Sequence, residues 1–385
     1  MNVRILHLIA SNFLGGPEKQ ILHHAKEMAG TRYRVEVASF QDSSTKPEVL
    51  IAATRMRLHA TCLPGGISLA ALTALEDELR DRKFDLLCTH GYKSNILGHL
   101  ATRKTKIAHI AFVRGWTAET WRVALYEQIA RRVLRSVPTV VCVSRKQAEQ
   151  LSRHKNRSAP IVVPNAILPP YDGPTIDFSS SENMPKFPAD AFVFGSVGRL
   201  SAEKGHRYLL EAFAQLSSSV PAAQLRLVLL GAGRELPLLE ARAHKLGIAD
   251  KVVFPGFQRD CSAWMQSMHC LVQPSLTEGT PNSVLEAIHH RLPIVATAVG
   301  GVPDVIIDQQ NGLLVPPRSA DALAAAMREV FQSAELRERF AAGTDHVMNE
   351  YSPAVQRERL IAVYKAALQT TRTRGVSKEV ELDAA

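Results

Sequence analysis

Short apolar, β-rich runs alternate with amphipathic helical runs along nearly the whole chain, and that alternation is the signature of parallel α/β sheets. In the first half, residues 4–9 read as a strand and 17–29 as the helix that follows. Residues 34–40 read as a second strand. Leu69, Leu72, Leu75 and Leu79 stand at helical spacing and predict a helix ending near Lys83. Residues 85–89, 107–113 and 139–143 are apolar strands, each followed by a helical stretch. Residues 161–163 close the series before Pro164-Asn165. Pro169, Pro170, Gly173, Pro174, Pro185 and Pro188 then mark a linker and surface loop.

A second series starts at Phe192. It has strands at 192–197, 225–230, 252–254, 270–273 and 294–297, and helices at 206–216, 234–246, 320–332 and 334–347. The predicted organisation is a first domain over 1–170, a linker over 171–190 and a second domain over 191–350. A final helix spans 351–368, and a polar tail over 369–385 is expected to fray. Each half reads as a doubly wound, Rossmann-like domain. Such domains bind ligands beyond the carboxyl ends of their strands, so two of them facing each other create an interdomain cleft.

A chain of 385 residues suits two domains rather than one. No run of 18 apolar residues could span a membrane. The first residues lead straight into Gly15-Gly16, as a strand and its loop would, rather than a signal peptide, which predicts a cytoplasmic protein. Five cysteines (Cys62, Cys88, Cys142, Cys261 and Cys270) lack C-x-x-C spacing and read as buried free thiols. The histidines show no metal-ligand pattern, and no metal or other cofactor is expected.

The net charge of +9 is uneven. Residues 1–170 carry 25 Lys and Arg against 13 Asp and Glu, and the remainder carries 21 against 24. A basic first half implies an anionic partner: a phosphorylated acceptor or an anionic membrane face. Nucleic acid is the weakest fit, because no binding motif accompanies the charge.

The most informative stretch runs from Pro274 through Glu278-Gly279-Thr280-Pro281-Asn282 to Val284-Leu285-Glu286-Ala287. A strand ends at Gln273 and a helix begins near Pro281 or Asn282. The unpaired N–H groups and positive dipole end of that helix suit a diphosphate. Glu278 in the loop and Glu286 in the helix could accept hydrogen bonds from sugar hydroxyls, or could be two surface glutamates. The second stretch, Gly198-Arg199 to Lys204-Gly205, follows a strand directly. Arg199 can fork two phosphate oxygens and Lys204 adds a point charge, unless the segment is a solvated basic turn. Preorganised cations and a helix end can stabilise a leaving diphosphate without Mg²⁺. The third stretch, Gly15-Gly16-Pro17-Glu18, lets backbone approach a bound group. Neither it nor Gly231-Ala232-Gly233 completes G-x-G-x-x-G, which leaves a nicotinamide dehydrogenase unsupported. No nucleophile elbow or P-loop occurs either.

Together these stretches resemble family 4 of the retaining glycosyltransferases, which have the GT-B fold, over nearly the whole chain. Glu278 and Glu286 match the family's E-x7-E pattern, Gly198-Arg199 with Lys204-Gly205 its G-R-x-x-x-x-K-G, and Gly15-Gly16 with Glu18 its G-G-x-E. Val143-Ser144, Val163-Pro164-Asn165, Gly256-Phe257, Gly300-Gly301-Val302-Pro303 and Asn311-Gly312 also fit in order. The resemblance implies that Arg199, Lys204, the backbone of Gly16 and the amides of Val284-Leu285 hold the donor diphosphate. Glu286 would bind ribose, Phe257 would lie at the base, and Glu278 would hold the donor sugar. It also implies that the last helix crosses back onto the first domain, and that the sugar passes from a UDP- or GDP-sugar to an acceptor with retained configuration. The acceptor would belong to a cell-surface polysaccharide, lipopolysaccharide or glycolipid.

One departure stands out. Where the family has V-x-H-G, this chain reads Val113-Arg114-Gly115, and an arginine cannot serve as a neutral imidazole. Arg114 could contact a donor or acceptor phosphate, or pair with a carboxylate. His90, at another strand end, could face the ligand or be a satisfied structural residue. Ala166 replaces the usual glycine, and His269 a common aspartate. Trp116, Trp121, Arg122, Arg131, Arg132 and Arg135 cluster near one predicted helix and suggest peripheral docking on an anionic cytoplasmic leaflet, or a solvated basic face. The alternative to an enzyme is a GT-B-fold nucleotide- or carbohydrate-binding protein without turnover.

Overall fold

The computed structural model describes residues 2–42, 44–115, 121–152, 159–169, 187–220 and 225–382. They form two compact units: 1–165 with 353–385, and 166–352.

The first unit runs β1 (Val3–Ile9), α1 (Gly16–Glu27), β2 (Tyr33–Gln41), α2 (Glu48–Arg55), β3 (Ala60–Pro64), α3 (Leu69–Asp81), β4 (Leu86–His90), α4 (Tyr92–Thr105), β5 (Ala108–Val113), α5 (Trp121–Leu134), β6 (Thr139–Cys142), α6 (Arg145–Ser152) and β7 (Ile161–Val162). Its seven strands pair in the order β3-β2-β1-β4-β5-β6-β7, with parallel pairings throughout. The order reverses between β1 and β4, the switch point where doubly wound sheets bind ligands.

Period-2 alternation sorts the strand residues onto two faces. Ile5, Cys88, Ile110 and Phe112 lie in one buried cluster; Leu6, Leu8, Leu87 and Phe40 lie in the other. The register sets His7 opposite Cys88, Ile9 opposite His90, and His90 opposite Phe112. His7 and His90 therefore share the face of Cys88 and Phe112.

The second unit runs β8 (Phe192–Val197), α7 (His206–Ser217), β9 (Leu225–Leu230), α8 (Leu236–Lys245), β10 (Val252–Gly256), α9 (Ser262–Gln266), β11 (Cys270–Gln273), α10 (Asn282–His289), β12 (Ile294–Thr297), β13 (Leu313–Val315), α11 (Ala320–Gln332), α12 (Ala334–Ala342) and α13 (Asp345–Glu350). Its parallel order is β10-β9-β8-β11-β12-β13, with the reversal between β8 and β11. Phe194, Phe213, Leu227 and Met327 fill one side of the sheet, and Val193, Val228, Leu271 and Ile288 the other.

The chain then returns to the first unit as α14 (Pro353–Leu382). Leu360, Val363, Tyr364 and Ala367, spaced for one helix face, are buried with Ile5, Cys88 and Ile110. Residues 353–385 carry six Lys and Arg against four Asp and Glu. The first unit thus holds 31 basic and 17 acidic residues, and the second 15 and 20.

Several expectations are corrected. The unit boundary falls at Asn165 rather than 170, because Ile167 is buried in the second unit and its N–H donates to the Tyr351 carbonyl at 2.8 Å. Most of the linker expected over 171–190 lies outside the described residues, which omit 170–186. The last helix, read over 351–368, is assigned from Pro353 as far as Leu382. No proline interrupts it, and Gly375 costs a helix only about 1 kcal/mol. The single helix read over 334–347 breaks at Gly343-Thr344, where the Gly343 Cα packs on the Gln310 carbonyl and Thr344 Oγ1 donates to the Ala341 carbonyl at 2.7 Å. The elements α2, β3 and β13 had no readable pattern. Of the five free cysteines three are buried, but Cys62 is exposed and Cys261 partly so.

Candidate functional site

In the second unit the site grows from the switch point between β8 and β11. After β8, Gly198-Arg199 leads into a 3-10 turn, Ala202–Lys204, and then Gly205. Gly205 has φ of +67°, and its Cα lies against the Pro274 carbonyl, where a Cβ would collide. That close approach brings Lys204 to the loop after β11. Lys204 Nζ donates to Glu278 Oε1 at 2.6 Å. The same oxygen accepts from Gln273 Nε2 at 2.8 Å and from Ser275 Oγ at 2.7 Å. Ser283 Oγ, in the first turn of α10, donates to Gln273 Oε1 at 3.0 Å and ties the helix to this network.

Glu278 is therefore no surface glutamate: its side chain is 7% exposed. Oε1 carries three donors, whereas Oε2 takes no hydrogen bond among the described residues. One oxygen is locked and the other is available. The loop behind it is equally constrained. Gly300, at φ +55°, packs its Cα on the Glu278 carbonyl, and the Gly301 N–H donates to the Gly279 carbonyl at 2.9 Å. Thr280 is buried, as is Pro281, the N-cap of α10, which leaves no side-chain cap on the helix.

The amide assignment needs one correction. Leu285 N–H donates to the Pro281 carbonyl at 3.2 Å, as the fourth residue of a helix must, so it is spent within α10. Ser283 and Val284 are the neighbouring amides without a backbone acceptor among the described residues. Glu286 is partly exposed and sits one turn along from Ser283, on the same helix face. Asn282 is partly exposed, Arg199 is exposed beyond β8, and Phe257 after β10 is 50% exposed. Gly231, at the end of β9, is buried with its Cα on the Gly198 carbonyl and holds the two strand ends together. His269 is structural: its Nδ1 accepts the Val193 N–H at 3.1 Å.

His90 and Arg114 belong to the first unit. Gly15 caps α1, and its N–H donates to Glu18 Oε2 at 2.9 Å; Gly16 opens the helix. Burial pushes the Glu18 carboxyl above its ordinary range. Arg114, just past β5, donates from Nε to His90 Nδ1 at 3.2 Å and from Nη1 to Asn165 Oδ1 at 3.0 Å. The carboxylate partner considered for it does not occur, since no ion pair to Arg114 exists among the described residues.

His90 Nε2 lies 3.0 Å from His7 Nδ1, and His7 Nε2 lies 3.0 Å from Tyr364 Oη. His24 Nε2 lies 2.8 Å from the same hydroxyl. Burial, with Arg114 and neighbouring rings adding repulsion, holds His7 and His90 well below the usual imidazole range and His24 at about 3. Desolvation lowers Arg114 to about 10. Arg114, His90, His7, His24, Gln20 and Asn165 line one small pocket. His7, His24 and Tyr364 escaped the sequence reading because a buried polar cluster leaves no motif; only the strand register and the return of α14 assemble it.

Among the described residues no helix is long and apolar enough to cross a membrane, and no His, Cys, Asp or Glu cluster could hold a metal ion. Trp116 lies outside the described residues. Arg131, Arg132 and Arg135 on and after α5 are exposed.

Two family models match the chain: a glycosyl transferase 4-like domain over residues 15–166 and glycosyl transferases group 1 over residues 178–346. The chain is 32% identical over 166 residues to the lipopolysaccharide core biosynthesis glycosyltransferase LpsE of Rhizobium meliloti, covering 43% of this chain and 47% of LpsE. It is 26% identical over 369 residues to the D-inositol 3-phosphate glycosyltransferase of Xylanimonas cellulosilytica, covering 86% of each. It spans about half the length of some relatives that it matches, LpsE among them. The fold resembles that of Anabaena HepE in complex with UDP and glucose, with a TM-score of 0.78 at 18% identity, covering 95% of this chain and 100% of that one. The two matched models, the paired doubly wound units and the motif residues that fall at their switch points place this chain in the glycosyl transferases group 1 family, with a GT-B fold of two Rossmann-like domains.

Proposed function

We propose that the chain is a retaining hexosyltransferase that moves a sugar from a UDP- or GDP-sugar to an acceptor in cell-surface polysaccharide, lipopolysaccharide or glycolipid synthesis. The observation that carries this is the divided carboxylate of Glu278, with Oε1 fixed by Lys204, Gln273 and Ser275 and Oε2 left to accept a sugar hydroxyl. Lys204 keeps donor capacity beyond its one bond to Glu278, and with Arg199 and the Ser283 and Val284 amides it offers positive potential to a diphosphate. Glu286 takes the ribose and Phe257 the base.

With Oε1 taken by three donors and Oε2 assigned to a sugar hydroxyl, neither Glu278 oxygen is left to act as a nucleophile, which supports attack from the leaving-group face. In that step the acceptor oxygen bonds to the anomeric carbon as the carbon–phosphate oxygen bond breaks, and the acceptor proton passes to the leaving phosphate. The lysine and the helix end offset the charge gained, so the reaction needs no resident metal. The LpsE relative and the HepE complex support an acceptor of the lipopolysaccharide kind and a UDP-sugar donor.

The test is release of UDP or GDP from a panel of donors, with and without acceptor, in the presence of EDTA. Glu278→Ala and Lys204→Met should lower kcat by about 100-fold or more, as loss of transition-state electrostatics does. Nucleotide binding without release from any donor would leave a binding protein instead.

A further inference from the structure

Arg114 cannot accept a hydrogen bond, so its contact with His90 has one direction: Nε–H donates and His90 Nδ1 accepts. A neutral His90 must then carry its proton on Nε2 and donate to His7 Nδ1. His7 in turn carries its proton on Nε2 and donates to Tyr364 Oη. The Tyr364 hydroxyl faces His24 Nε2 and the Cys88 thiol beyond that point. One guanidinium thereby fixes two tautomers, those of His90 on β4 and His7 on β1.

This relay meets Arg114 with neutral groups only. Asn165, its other partner, is neutral too. Glu18 is the carboxylate whose field reaches Arg114, but it forms no ion pair with it and is engaged at Gly15. A partly buried charge without a contacting counter-charge is costly, and an anionic ligand would supply one. Gln20, Asn165, His24 and Gln356 line the pocket beside it; Gln356 Nε2 donates to Gln20 Oε1 at 3.2 Å and to the Pro164 carbonyl at 2.8 Å, which leaves the guanidinium as the group that would hold an oxyanion.

We propose that this pocket, at the carboxyl edge of β1, β4 and β5, binds an oxyanion through Arg114: a phosphate or carboxylate carried by the acceptor or by the donor sugar. The source of the anion rests on the transferase reading; the binding itself does not.

Two measurements test it on the full chain. In the first, inorganic phosphate is titrated at constant ionic strength while histidine ring nitrogens are followed by ¹⁵N NMR. The expected result is protons on His90 Nε2 and His7 Nε2, and saturable shifts of His90 and His7. Arg114→Gln should abolish the shifts and Arg114→Lys should weaken them. The His109 ring, bonded to Thr89 Oγ1 at 2.9 Å away from the relay, reports that each variant is folded. No saturable shift at tens of millimolar phosphate, or a shift that survives Arg114→Gln, overturns the proposal.

In the second, initial rates compare hexuronate with neutral hexose donors, and phosphorylated with unphosphorylated acceptors. Arg114→Gln should raise KM for the partner that carries the anion about 10-fold or more beyond any rise for its neutral analogue. Equal effects on every pair overturn the assigned source. Failure of all donors in wild type counts against the transferase reading alone, because the phosphate titration needs no turnover.

Discussion

Tyr364→Phe isolates the relay from the packing around it. The ring stays, so the fully buried position gains no cavity larger than a hydroxyl. What disappears is the acceptor for His7 Nε2–H at 3.0 Å and the hydrogen-bond partner of His24 Nε2 at 2.8 Å. His7 cannot flip its tautomer to compensate, because its Nδ1 already accepts from His90. A hydroxyl-sized gap does not admit a water. Each orphaned ring nitrogen costs about 1–3 kcal/mol, which gives about 4 kcal/mol as a central value for the pair. In a unit of 198 residues that loss lowers Tm by about 8–16 °C. Hydrogen exchange on peptides from β1, β4 and β5, read as opening free energies, measures the effect in the unit concerned. A loss below about 1 kcal/mol would show that the hydroxyl is dispensable, and with it the directional chain from Arg114.

Acid should destabilise the first unit before its carboxylates titrate. His24 and His109 have folded pKa values near 3 against an ordinary 6.5, so the unfolded chain binds more protons between those limits and stability rises with pH across the window. Lowering the pH from 7 to 5 should cost about 2 kcal/mol for each, and His7 and His90 add in the same direction; urea midpoints that stay flat over this range contradict neutral buried rings. Gly300→Ala places a Cβ on the Glu278 carbonyl at a left-handed backbone position, and nucleotide release should fall at least about 10-fold with the chain still folded; unchanged kcat/KM would mean that the loop tolerates displacement. The first unit, with 31 basic residues against 17 acidic, should float with anionic vesicles at low salt and detach as salt rises; sedimentation free of vesicles at low salt removes the membrane role.

The alternation of β-rich and helical runs was enough to define two parallel α/β units, because period and strand length are local properties. The strands at Phe192–Val197, Leu225–Leu230, Cys270–Gln273 and Ile294–Thr297 are legible to the residue. The positions of Glu278, Lys204, Gly198 and Gly15-Gly16 beyond strand ends were equally readable, since tight turns after strands demand particular residue types at fixed spacing. Short α2 and β3 were missed for want of periodicity, and the break at Gly343 depends on a contact with Gln310 that no local pattern announces.

Tertiary structure alone decided how the carboxylate of Glu278 is divided between locked and open oxygens, because Gln273, Ser275 and Lys204 converge on it from two different loops. It alone turned Arg114 from an odd substitution into the head of a polarised chain. His7, His24, His90 and Tyr364 are scattered over more than 350 positions, and only sheet register and the returning helix bring them within hydrogen-bond reach. A sequence records which groups exist; the directions of their hydrogen bonds follow from distances between segments remote in the chain.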